Sequence, residues 1–190
     1  MQNVVLDSGA DGEQALAFVS TIRHDGQGGV ADDFASDEQV AAWIAARWPD
    51  TRVDATTLRE LRRAARAAFA ATVSPAPPSR ADATNLMTPA TAGRLLTDAI
   101  AGLGLTHEVD LDSGSVEVRR TSGSQGEPLV LGSLALAVAD FLSGPLSGRL
   151  RSCQAPRCVR YFVQSHGKQQ WCKQSCGNRA RVARHAARQH

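Results

Sequence analysis

Apolar positions recur at helical spacing in four stretches of the first 104 residues. Between Asp11 and Ile22, Leu16, Phe18 and Val19 gather on one side, the pattern of a short amphipathic helix. The next stretch, His24 to Val30, holds Gly26, Gly28 and Gly29 and predicts a loop. A second helix is predicted with Ser36 as cap and Asp37 and Glu38 at the positive end of its dipole. Val40, Trp43, Ile44 and Arg47 or Trp48 follow at helical spacing, and Pro49 closes it. The third opens at Thr56 or Thr57 and lines up Leu58, Leu61, Ala65, Ala68, Phe69 and Thr72 as one apolar stripe. Arg59, Arg62, Arg63 and Arg66 lie on its other face, which is expected to be solvated. Ser74 to Arg80 is too rich in proline to continue a helix. A fourth helix starts with Thr88 as cap and Pro89 in the first turn, turns Ala92, Leu95, Leu96, Ala99 and Leu103 inward, and stops at Gly104.

After Leu105 the period changes to two. Val109 and Leu111 alternate with Glu108 and Asp110, and Val116 and Val118 alternate with Glu117 and Arg119. With Asp112-Ser113-Gly114 between them, these predict a β-hairpin packed by one face on the helices. Pro128 to Leu142 is apolar nearly all round, as befits a helix buried at the centre of a bundle, and Gly144-Pro145 ends it. Ser147-Gly148 reads as a short hinge. The expected fold class is mainly α (α+β): a helical N-terminal domain with one hairpin over residues 1–145, then a small module over residues 149–190.

Composition changes this picture only when it is divided along the chain. The net charge is +2, yet ten of the 21 basic residues and none of the 19 acidic ones follow Asp140. The two parts therefore carry about +10 and −8, an asymmetry that points to a polyanionic partner for the tail. The first residues carry acids and no basic run, unlike a signal peptide, and Pro128 to Leu142 is too short to span a bilayer and contains Asp140. A cytoplasmic location without membrane attachment is expected. Thiols there bind metal, whereas an oxidising compartment would allow disulfides.

All four cysteines lie in the tail. Cys153 and Cys158 enclose four residues, Cys172 and Cys176 enclose three, and thirteen residues separate the pairs. Two close thiol pairs joined by a short spacer suit a tetrahedral zinc site of the structural kind. His166 in the spacer is redundant once four thiolates are bound. The module is expected to contain two thiol turns, a hairpin pairing Val159–Val163 with Gln170–Cys172, and a helix from about Cys176. At about 100° per residue, Arg181, Arg184, His185 and Arg188 share one face of that helix with Asn178 near it. Arg179, Val182, Ala183 and Ala186 fall on the other, inward side. The candidate nucleic-acid contacts are Lys173, Asn178, Arg181, Arg184, His185 and Arg188, and Arg179 is expected to brace the module from within. Gly177 is expected to let the start of the helix pass close to the metal turn.

The string Cys176-Gly177-Asn178-Arg179, preceded by Cys172 and the Cys153/Cys158 pair, resembles the CGNR zinc-finger family of bacterial proteins. Residues 15–22 and 40–44 more weakly resemble the ABATE domain that stands N-terminal to this finger and is described as a stress-induced transcription regulator. The resemblance implies zinc, double-stranded DNA and transcriptional control. Three readings remain open: a DNA-binding regulator with a small-molecule effector and a homodimeric form as options, a zinc-stapled protein-interaction or RNA-binding module, and an enzyme. The last is disfavoured, because no phosphate-binding glycine motif or nucleophile pattern is present.

Overall fold

The computed structural model describes residues 3–27, 29–111 and 114–188. Helix α1 spans Glu13–Val19, α2 Asp37–Ala45, α3 Ala55–Val73, α4 Pro89–Ala101, α5 Gly126–Ser143 and α6 Gln174–Ala186. Three of these helices, α2, α3 and α4, begin at side-chain caps. At α2, Ser36 Oγ accepts from Gln39 N while Gln39 Oε1 accepts from Ser36 N, a reciprocal capping box. At α3 the cap is Asp54 rather than a threonine: its carboxylate accepts from the backbone and hydroxyl of Thr57, both at 2.7 Å. A charged oxygen facing the helix dipole is the stronger cap there. Thr88 caps α4 ahead of Pro89.

Helix α5 is the core, packed by α1, α3 and α4. It is long and apolar enough to cross a membrane, but Val130, Leu134, Ala135, Val138 and Phe141 are buried against other helices. A Cβ on Gly132 would collide with Leu103 and the Ala99 carbonyl, so glycine is what allows α4 and α5 to cross in contact.

The strands depart from expectation. Helix α1 ends at Val19, and Ile22–His24 (β2) instead pairs antiparallel with Val30–Asp32 (β3) around the glycine loop. Three-residue strands are too short to alternate visibly, and Ile22 also fits the helical period. Thr106–Asp110 (β4) and Glu117–Ser122 (β5) form the expected hairpin, joined by Val4–Leu6 (β1) into a sheet of order β1-β5-β4. Gly28 of the loop and Asp112 and Ser113 of the hairpin turn lie outside the described residues. The hairpin's apolar face does not rest on the helices: Val109, Leu111, Val116 and Val118 are 59–70% exposed. Its base is anchored, by Ser122 Oγ donating to the Leu103 carbonyl and by Arg120 bridging to Asp140 at 2.7 Å.

Two arginines of the expected solvated face are buried. Arg62 is paired with Asp32 and lies over the Phe34 ring. Burial alone would raise the Asp32 pKa, but hydrogen bonds from Arg62 and the Phe34 amide, with the charges of Arg62 and Arg59, hold it below the usual carboxylate range. Arg66, 2% exposed, bonds Asp82 Oδ1 at 2.7 Å and Oδ2 at 3.0 Å, Ser79 Oγ at 3.0 Å and the Val159 carbonyl at 3.5 Å. Tyr161 donates to the same carboxylate at 2.7 Å, and burial together with the Asp82 charge pushes its pKa up. Arg62 turns inward to the carboxylate of Asp32 in β3, and Arg66 turns inward because residues 74–82 and the C-terminal module wrap over that side of α3 and bring Asp82 with them.

The tail is docked, not hinged. After a 3-10 turn at Ser147–Arg149, Leu150–Ser152 (β6) pairs with Tyr161–Val163 (β7), in place of the expected pairing with residues 170–172. This register sends Leu150 and Tyr161 into the main core. Ser152 Oγ donates to the Pro77 carbonyl, Gln154 to those of Pro77 and Pro78, and Ser79 Oγ to that of Val159. Arg66→Ala strands the Asp82 carboxylate in this interface, and urea denaturation is expected to show a loss of about 3–5 kcal/mol. A loss below ~1 kcal/mol, typical of exposed pairs, would mean the interface admits water.

Candidate metal centre

Two thiol turns converge on the site. Cys153 follows β6, and its amide donates to the Arg160 carbonyl, closing the first thiol turn. Cys158 is reached through the bond from its own amide to Ala155 O at 3.0 Å. Cys172 N approaches Cys153 Sγ at 3.5 Å, and Cys176 occupies the first turn of α6. The four sulfurs all lie within 4.8 Å of one another, with Cys158–Cys172 at 3.7 Å and Cys172–Cys176 at 3.5 Å. Zinc–sulfur bonds of about 2.3 Å in a tetrahedron place sulfurs about 3.8 Å apart, so the cluster matches a zinc tetrathiolate. The same separations are far beyond the ~2.05 Å of a disulfide.

Thiols this close compete for protons. Hydrogen bonds from Cys153 and Cys172 pull the Cys158 thiol well below the ordinary range, while the same kind of neighbour, Cys153 first and then Cys158, pushes Cys172 up. A divalent cation relieves the competition by holding all four as thiolates. Four sulfurs close the coordination shell and leave no position for water, so the centre is structural. His166 is exposed in the spacer and lies outside the cluster.

Around the metal the core is small: Ala155 and Phe162 with Trp171 packed against them. Gly177 sits under Trp171, where a Cβ would stand 3.0 Å from ring atom Cδ1; the close neighbour is thus the indole. Arg179 is half-buried, donating to the Pro156 carbonyl at 3.2 Å and to Cys176 Sγ at 3.2 Å. A guanidinium there ties α6 to the first thiol turn and offsets the negative charge of the thiolates.

Beyond Ala180 every described residue of the tail is exposed. This corrects the expected inward side of Val182, Ala183 and Ala186: Val182 is 69% exposed, because the small zinc core is already covered by the first two turns of α6. Of the candidate contacts, Lys173 stands at the N-cap, Asn178 accepts from Arg181, and Arg184 donates to the Ala180 carbonyl at 3.3 Å. His185 and Arg188 extend the exposed surface. Arg149, Arg157, Arg160 and Lys168 add exposed positive charge on the rest of the module, legible only in the charge division along the chain. Tyr161 and Phe162 are buried at 3% and 8% exposure, which removes them as stacking platforms for unpaired bases.

The N-terminal domain holds a cavity of about 640 Å³ between β1, α1, the end of α2 and α5. Trp43, Trp48, Leu129, Ser133 and Leu136 line it, and the Arg47 guanidinium lies 4.0 Å above the Trp43 ring. The two tryptophans also belong to the aromatic cluster with Phe18 and Phe34, so they serve the core and the cavity wall together.

Two family models match the chain. Residues 149–189 match the one described as "CGNR zinc finger", and residues 12–145 match ABATE, described as "Putative stress-induced transcription regulator". No curated protein matches. Removing the Arg179 guanidinium should loosen the metal without changing its ligands. Arg179→Ala is expected to surrender zinc to a competing chelator about 10- to 100-fold more readily. Wild-type zinc retention with weakened DNA binding would show that Arg179 acts on the ligand instead.

Proposed function

We propose that this chain, which belongs to the ABATE family and ends in a CGNR zinc finger, is a transcription regulator that binds double-stranded DNA through α6. One observation carries the reading: residues 181–188 are all exposed, in a stretch of fifty residues without an acid, at the end of a helix whose first turn holds a zinc ligand. A major groove about 12 Å wide admits an α-helix. In this account Arg181, Arg184 and Arg188 neutralise phosphates while Asn178 and His185 reach base edges.

The N-terminal domain is the sensing part, with its cavity as the place for a small-molecule effector. A physical route joins the two. Helix α1 supplies a cavity wall through Glu13, Gln14 and Ala17, and its last residue, Val19, accepts from Arg66. Arg66 in turn donates to the carbonyl of Val159, one residue beyond a zinc ligand. A change in the packing of α1 therefore bears directly on the seat of the finger.

Neutralising phosphates releases counterions, so log K falls with log salt at a slope of about −0.9 per contact. Arg184→Ala and Arg188→Ala are each expected to make that slope shallower by about 0.9 for the zinc-loaded protein on duplex DNA, read by fluorescence anisotropy. Slopes unchanged in both variants would remove α6 as the contact.

A further inference from the structure

A strained arginine in the first thiol turn points to a second contact element. Arg157 adopts φ +64°, the left-handed region where glycine is at ease and a side chain is strained. It is exposed and makes no hydrogen bond or ion pair among the described residues, so nothing inside the module accounts for a long charged side chain at this position. The left-handed φ belongs to the turn itself, in which the Ala155 carbonyl accepts from the Cys158 amide across Pro156 and Arg157, a geometry that favours glycine at the third position; what the turn does not require there is an arginine.

The turn lies against the beginning of α6. Its Pro156 carbonyl, immediately before Arg157, is held by Arg179, whose guanidinium also contacts Cys176 in the first turn of α6. Arg160 lies on the far side of this segment from the N-terminal domain. Its neighbours Val159 and Tyr161 are buried toward Ser79 and Asp82, and alternation along extended chain sends Arg160 the opposite way. The Arg160 side chain is likewise exposed and makes no hydrogen bond or ion pair among the described residues, and no acid follows Asp140 to compete for either side chain.

We infer that the first thiol turn is a phosphate clamp beside α6, with Arg157 and Arg160 each holding the backbone of the duplex that the helix reads. This rests on the DNA-binding reading above and deepens it: α6 carries base recognition, and the turn fixes register and adds affinity without sequence preference.

The test uses the full-length, zinc-loaded chain and a 20-base-pair duplex of randomised sequence, titrated by anisotropy over a series of salt concentrations. Arg157→Gly and Arg160→Ala are each expected to make the slope of log K against log salt shallower by about 0.9, and the double variant by about twice that. Arg157→Lys keeps the charge and should keep the slope. Arg157→Gly also relieves the backbone, so its thermal midpoint should equal or exceed that of the unmodified protein, which separates a ligand role from a structural one. Arg52→Ala with Arg63→Ala, exposed on the N-terminal domain, should leave the slope unchanged. Unmodified slopes in Arg157→Gly and Arg160→Ala, with Arg184→Ala still shallower, would overturn the clamp and leave the DNA reading standing. Salt-independent binding, or none, by the unmodified protein would overturn both.

Discussion

The tail owes its shape to four thiolates sharing one cation. Its own apolar core amounts to Ala155, Phe162 and Trp171, far too little to order forty residues. Zinc bound by four thiolates contributes ~10–16 kcal/mol in comparable small modules, which is enough to close both thiol turns and hold the first turn of α6 through Cys176. With the turns closed, β6 and β7 hold a register that delivers Leu150 and Tyr161 to the main core. The exposed end of α6 then has a fixed origin.

The metal orders the tail, and a buried ion pair seats it. Asp82 takes two bonds from Arg66 and one from Tyr161, joining α3, the 74–82 segment and β7 at one carboxylate. Such a pair offers little net stability over apolar packing, but it penalises any arrangement that leaves a partner alone. Ser79 and Arg66 extend the seat to Val159, beside the ligand Cys158. The finger is therefore held at a defined position on a domain that contains a cavity, as a regulator needs if occupancy at one end is to alter contact at the other.

What could be read from sequence was what local chemistry decides. Capped helices with a clear period, and thiols spaced for a metal, depend on residues within a turn or two of one another. So does the side of α6 on which Arg179 lies. The inward course of Arg62 and Arg66 depends on partners 30 and 16 residues away and, for Val159, on one 93 residues away, which no helical period records. The hairpin of β4 and β5 alternates correctly, yet alternation does not reveal that the sheet extends past the helices. The wheel of α6 likewise sorts side chains by angle without saying whether any surface lies opposite Val182. β6 and β7 paired across the first thiol turn because Leu150 and Tyr161 had a core to enter, a fact of the assembled fold.

The central claim is that a zinc-ordered helix reads duplex DNA. Selection of bound sequences from a random duplex pool, carried out in parallel with zinc-loaded and chelator-treated protein at one stated salt concentration, tests it most directly. The account predicts that zinc-loaded protein enriches a shared sequence and that chelated protein retains little DNA of any kind. A bound pool that stays random, recovered equally with and without zinc, would contradict it.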